Sequence, residues 1–179
     1  RCEQPSYGYE LKDEFTPGSG LGRVCPVEPA MVYAVLRSLT GFDLIDGAWD
    51  ESTSPRRAVY TATDEGTATF ERWLRRPVGR IREVRQDFLV KLYFAMRRDV
   101  KLAREILATQ VEATRDYTAA LEAERAALDA APADFDALVM DSKVSAARVT
   151  LDWLEAAGRA LTPARRVRDT PPRPRAARR

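Results

Sequence analysis

Histidine is missing from the whole sequence. With it go imidazole general bases, His-activated nucleophiles, His metal ligands and any imidazole pH switch near neutrality. Cysteine occurs twice, at Cys2 and Cys25, too seldom for a structural zinc site or a disulfide framework. Lysine is scarce as well: Lys12, Lys91, Lys101 and Lys143 are the only four, so arginine carries almost all of the 29 positive charges. No apolar run nears the roughly 18 residues of a membrane span, and no secretory hydrophobic region is visible. These absences predict a cytoplasmic chain with no membrane partner. The acidic pairs Glu122/Glu124 and Asp134/Asp136 invite a metal or acid–base reading, but with no histidine beside them they read as solvated surface. The sequence therefore predicts neither an enzyme nor a cofactor.

What remains suits a folded chain: 45% of residues are hydrophobic and 31% charged. The formal net charge of +2 is the sum of unequal parts. Residues 1–85 hold 12 basic and 13 acidic side chains, residues 86–158 hold 9 and 13, and residues 159–179 hold 8 and 1. A mildly acidic body precedes a basic, proline-containing end. Residues 162–179 read as a disordered tail, either inert or adding nonspecific affinity for DNA.

Periodicity divides the body. Residues 6–16 read as a short helix in which Leu11 and Phe15 share a face, ended by Pro17-Gly18-Ser19-Gly20. Pro29 suits the first turn of a second helix. Val32, Val35, Leu36 and Leu39 form its buried stripe, Ala30, Tyr33, Ala34 and Arg37 its other face, and Gly41 its terminator. Residues 44–51 and 56–62 read as strands around the loop Ser52-Thr53-Ser54-Pro55. Thr63 caps a third helix, with Asp64 and Glu65 at its positive end. That helix runs through Phe70, Trp73 and Leu74 and stops before Pro77. Helix, turn, helix, hairpin, helix is the order of a winged helix-turn-helix, in which one helix offers its free face to the DNA major groove and the hairpin reaches the adjacent backbone.

From residue 83 onward the pattern is helical: one helix over 83–98, a long one from 100 to about 131 spanning roughly 45–50 Å, and a last one over 135–161. The long helix carries a seam of Leu107, Val111, Thr114, Leu121 and Leu128. The last carries Phe135, Leu138, Ser142, Ala146, Val149, Trp153 and Ala156. Stripes this narrow pack on each other within the chain or on a second copy. The expected fold is mainly α with a small β-hairpin: a winged helix-turn-helix over 1–80, an all-α dimerisation or effector domain over 81–161, then the tail. Trp49, Trp73 and Trp153 read first as core.

Five segments, in this order, resemble signatures of the PadR-type transcriptional regulators. Tyr7-Gly8-Tyr9-Glu10-Leu11 is similar to the family's (H/Y)GYEL. Val32-Tyr33-Ala34-Val35-Leu36-Arg37-Ser38-Leu39 resembles its LYxxLxxL recognition helix, and Phe42-Asp43-Leu44-Ile45 the GLI entry to the wing. Tyr60-Thr61-Ala62-Thr63-Asp64-Glu65-Gly66 resembles YxLTxxG after the wing. Asp87-Phe88-Leu89-Val90-Lys91-Leu92-Tyr93-Phe94 resembles (E/D)FLxKLxF of the long-form members, which carry an extra helical domain. The resemblance covers about residues 5–160. It implies a homodimeric, DNA-binding regulator, commonly a repressor, often responsive to small aromatic compounds. In the family a helix precedes the GYEL segment and packs into the winged core and the dimer interface. Only Arg1 to Pro5 precede it here, so the chain reads as shortened at its start, and a poorly covered apolar patch is expected near Leu11, Val32 and Leu36. Glu28 stands where the family tends to place Ser, Asn or Thr.

The resemblance implies that Tyr33 contacts the DNA backbone; the alternative is a packing tyrosine. Arg37, one turn on, either reaches a phosphate or a guanine edge or is plain surface charge. Tyr9 and Lys12 lie near the turn. Ala30 and Met31 offer no hydrogen bonds, although either can touch a thymine methyl. Arg56 and Arg57 follow the wing tip on opposite faces, so one of them aims at DNA. A small aromatic effector is expected at the domain junction, near Phe88, Leu92, Tyr93 and Trp153. The expected partners are thus a double-stranded operator, a second copy and that effector. The alternative is a protein-interaction adaptor with a degenerate reading head, suggested by Glu28, Ala30, Met31 and the net −1 of the winged region.

Overall fold

The computed structural model describes residues 5–128, 131 and 134–161. Its elements are β1 (Ser6–Tyr7), α1 (Gly8–Glu14), α2 (Pro29–Gly41), β2 (Ile45–Asp50), β3 (Arg57–Ala62), α3 (Asp64–Arg75), α4 (Ile81–Glu83), a π-helical turn (Val84–Phe88), α5 (Leu89–Arg98), α6 (Val100–Ala127) and α7 (Phe135–Leu161). The chain is mainly α with one small antiparallel sheet, a winged helix followed by packed helices. The tail expected over 162–179 lies outside the described residues.

The start of the chain differs from the expected helix over 6–16. Ser6 and Tyr7 form a strand on β3, Ser6 opposite Tyr60 and Tyr7 opposite Val59, so the sheet has three strands in the order β1-β3-β2. Two residues are too few for an alternating pattern to announce a strand. The helix then begins at Gly8, where a Cβ would lie 2.9 Å from Cε1 of Tyr33 and 3.4 Å from Cε2 of Tyr60. Gly66, in the first turn of α3, is tighter still: a Cβ there would come within 1.8 Å of the Leu44 carbonyl oxygen. Two glycines of the recognised motifs are therefore steric requirements of close approach.

Val32 and Leu36 of α2 are buried and Leu39 is half-buried, but Val35 is exposed, so the stripe is narrower than expected. The apolar patch expected near Leu11, Val32 and Leu36 is not there. α1 and the sheet pack on α2, leaving Leu11 half-buried and the other two covered. The tryptophans also depart from expectation. Trp73 is half-buried beside Phe70 and Phe94, while Trp49 and Trp153 are exposed.

α6 and α7 form an antiparallel pair, tied by Arg125–Asp141 at 2.6 Å, Arg148–Glu122 at 2.6 Å and Arg115–Glu155 at 2.9 Å. The expected seam of α6 does face inward, with Leu107, Thr114 and Leu121 buried. On α7 the buried stripe is instead Ala137, Met140, Val144, Ala147 and Leu154. The stripe of Phe135, Leu138, Ser142, Ala146, Val149, Trp153 and Ala156 points outward. α7 carries two apolar faces, and α6 covers the one that holds Met140, Val144 and Leu154.

The main core joins Leu74 of α3 and Val78 of the following link to Val84, Phe88, Leu92, Leu107 and Leu154. It therefore runs across the boundary expected at residue 80. Within it Gln110, 1% exposed, accepts from the Val78 N–H at 2.8 Å and donates to the Val78 carbonyl at 3.1 Å. Replacing Gln110 by the similarly sized Leu strands both peptide groups. Urea unfolding of Gln110→Leu is expected to show a loss of about 2–4 kcal/mol.

Candidate nucleic-acid interface

The winged part gathers its tyrosines where α1, α2 and the sheet meet. Tyr33, 38% exposed on α2, lies over Gly8. Tyr9 is exposed and stacked on Tyr7, with ring centroids 5.4 Å apart and planes 17° from parallel. The Arg57 guanidinium sits 5.0 Å from the centre of the Tyr9 ring, a cation–π contact that holds its charge at the surface. Tyr7 donates its hydroxyl to Asp50 Oδ2 at 2.6 Å, and Asp50 pairs with Arg57 across the β-ladder. Asp50 also accepts from the Ser52 hydroxyl at 2.6 Å and the Ser52 N–H at 2.9 Å. Those bonds, Ser52 first and Tyr7 second, hold the Asp50 carboxyl below the usual range. The bond to Asp50 in turn pushes the Tyr7 phenol up.

The other residues singled out in the sequence are more loosely held. Arg37 is exposed and forms no ion pair among the described residues. Arg56 precedes β3 rather than lying in it, so strand alternation does not set its direction; it pairs with Glu51 at 2.7 Å. Lys12 pairs with Asp13 at 3.1 Å. Exposed pairs of this kind are worth about 0–1 kcal/mol, so a phosphate can displace either carboxylate. Met31 and Ala30 are exposed on the first turn of α2, and Glu28 caps that helix with no side-chain bond to its N–H groups. Tyr7 and Asp50 are not among the residues singled out in the sequence. The Asp50-Glu51-Ser52 spacing, typical of an Asx turn, was the available signal.

The four residues expected around an effector do not line one recess. Phe88 is 1% exposed and Leu92 is buried, both inside the main core, so neither offers a face to a ligand in this conformation. Trp153 points outward from α7. Tyr93 sits at the junction with the winged part. Its hydroxyl donates to Glu14 Oε2 at 2.9 Å and accepts from Arg97 at 2.9 Å, and its ring covers Gly20. Burial and then the Glu14 carboxylate push the Tyr93 phenol up. The neighbouring open recess is lined by Glu10, Asp13, Glu14 and Ser19, and its carboxylates suit no anionic ligand. No helix among the described residues is long and apolar enough to cross a membrane.

A helix pair, a hairpin wing on a three-stranded sheet, and arginines at both α2 and the wing define a winged-helix protein of the DNA-binding class. Residues 2–72 match the model of the transcriptional regulator PadR-like family, and residues 84–162 match that of the virulence activator alpha C-terminal region. The chain carries a PadR-like transcriptional-regulator domain with a C-terminal extension. It is 29% identical to the probable transcriptional regulator Rv1176c of Mycobacterium tuberculosis, over 89% of this chain and 92% of that protein. It is also similar to the crystal structure of Bacillus subtilis PadR in complex with operator DNA, at 21% identity over 87% of this chain and 90% of that one, with a TM-score of 0.40. For Bacillus subtilis PadR in complex with p-coumaric acid the values are 20%, 88%, 90% and 0.38.

The Tyr7–Asp50 bond has a pH signature. A raised phenol pKa stabilises the fold below the ordinary tyrosine pKa, and that support is lost as pH rises through the raised value. A lowered carboxyl pKa stabilises above the ordinary aspartate pKa, and that support is lost as pH falls through the lowered value. In an alkaline absorbance titration, Asp50→Ala is expected to return the Tyr7 transition, identified by comparison with Tyr7→Phe, to lower pH.

Proposed function

We propose that this regulator is a cytoplasmic, ligand-responsive repressor that binds a near-palindromic operator as a homodimer, and that it is not an enzyme. The observation that carries the reading is the outward stripe of α7, where Phe135, Leu138, Val149 and Trp153 all lie exposed along one helix face. A row of large apolar side chains left in water is costly. A second copy covers it by two-fold symmetry, each α7 meeting its mate. Two-fold symmetry then presents two α2 helices and two wings, which fits half-sites one helical turn apart or a multiple of it. Tyr33, Arg37, Met31, Tyr9, Lys12, Arg56 and Arg57 supply the contacts of each half.

An effector acts by favouring the conformation that binds DNA less well. Tyr93 keeps exposed surface for it and Trp153 borders it at the face a second copy covers, whereas Phe88 and Leu92 would respond only through repacking. The adaptor reading keeps one supporting observation, the exposed Glu28, Ala30 and Met31 on the leading turn of α2.

Two measurements test the proposal. In light scattering the full chain is expected to have the mass of a dimer, and Val149→Asp with Trp153→Asp that of a monomer, with helical circular dichroism kept. In gel shifts with the DNA upstream of its own gene, Arg57→Ala and Tyr33→Phe are expected to weaken binding. The Arg57→Ala change should also reduce the salt slope by about one for each phosphate that the guanidinium neutralises. A dimer that binds no DNA would favour the adaptor.

A further inference from the structure

Trp49 is the penultimate residue of β2 and is 65% exposed. Strand alternation places it on the same side of the sheet as Gly47, Ala58 and Tyr60, with Ala58 directly opposite. Neither Gly47 nor Ala58 is large enough to cover an indole. Tyr60, on that same side, lies with Tyr33 against Gly8, so this is the side that faces α2. Asp50 and Arg57 take the other side. The wing thus has a charged side, where Arg57 rests on Tyr9, and an aromatic side turned toward the recognition helix.

We propose that Trp49 is a DNA-contacting residue that packs on the deoxyribose of the strand lying between the two grooves the domain occupies. The inference rests on the DNA-binding reading of the winged part. A helix in the major groove and a wing at the adjacent minor groove have one sugar–phosphate strand between them. That strand passes on the α2 side of the wing, which is the Trp49 side. Its sugars are the apolar part of the backbone and match an indole. Its phosphates match Arg37, which is exposed and free of ion pairs among the described residues, and Arg56, whose partner Glu51 is itself exposed. The contact is not ionic, so it adds affinity without counterion release and fixes the spacing of helix against wing.

The sequence has three tryptophans, so Trp73→Phe with Trp153→Phe leaves Trp49 as the sole indole reporter. The full chain is titrated with a random-sequence duplex of two helical turns at low salt. Trp49 emission is expected to move to the blue as the duplex binds. Trp49→Ala should weaken binding about tenfold while leaving the salt slope unchanged, and Trp49→Phe should recover part of the loss. Arg57→Ala, by contrast, should lower the slope. Duplex binding with unaltered Trp49 emission and full affinity in Trp49→Ala overturns the proposal. A changed mass of Trp49→Ala in light scattering also overturns it, assigning the indole to a contact between copies. If the wild-type chain binds no duplex, the DNA-binding reading itself fails.

Discussion

Gln110 uses both ends of its side-chain amide on the backbone of one residue, accepting from the Val78 N–H and donating to the Val78 carbonyl, in the manner of a β-ladder rung. The side chain is buried, so its bonds are costly to leave unmade. It pins the link after α3 to the long helix α6, and Leu74 and Val78 can then share one core with Phe88, Leu107 and Leu154. Lys91 acts on the same link. Its ammonium, in a side chain only 4% exposed, is bonded to the Arg76 carbonyl at 2.7 Å, paired with Asp87 at 3.2 Å and set 5.1 Å from the centre of the Trp73 ring. A buried cation with fewer partners would be a liability. Here each partner belongs either to α3 and its link or to the π-helical turn, so the cation fastens the two together.

The restraint travels to the wing. Once its C-terminal end is fixed, α3 has little freedom at its N-terminal end, and that end holds the hairpin. The Thr63 hydroxyl donates to the Asp43 carbonyl at 2.8 Å, the Thr63 N–H donates to the Leu44 carbonyl at 3.1 Å, and Gly66 admits the Leu44 carbonyl oxygen against the helix. The entry and exit of the wing are thus tied to one helix. Tyr93, reaching Glu14 across the junction, adds a second tie from α5 to α1. The helical part is thus bonded to the winged part both at α1 and, through α3, at the base of the wing.

Much of this was legible in the sequence, for identifiable reasons. The Thr63 cap, the strands around 52–55 and the span of the last helix are local signals, and each took its expected form. The glycines of the recognised motifs were visible as letters, but their cause, the Tyr33 ring at Gly8 and the Leu44 carbonyl at Gly66, is tertiary. β1 escaped because it consists of two residues paired with a strand more than fifty positions away. α7 misled because it has apolar residues on two faces, and period alone does not say which one a neighbouring helix takes. Residue type alone points Trp49 to the core, yet the residue opposite it is Ala58 and its same-side neighbour on β2 is Gly47. The effector residues were read from sequence position near a junction, and two of the four proved to be structural core.

α7 ends beside the start of α6, where Arg104 donates to the Leu161 carbonyl at 2.8 Å. α6 in turn begins just after Arg98, which pairs with Glu71 of α3. The chain beyond Leu161, with seven arginines against one aspartate, therefore departs from the end of the helical pair that abuts the winged part, not from the far turn near Phe135.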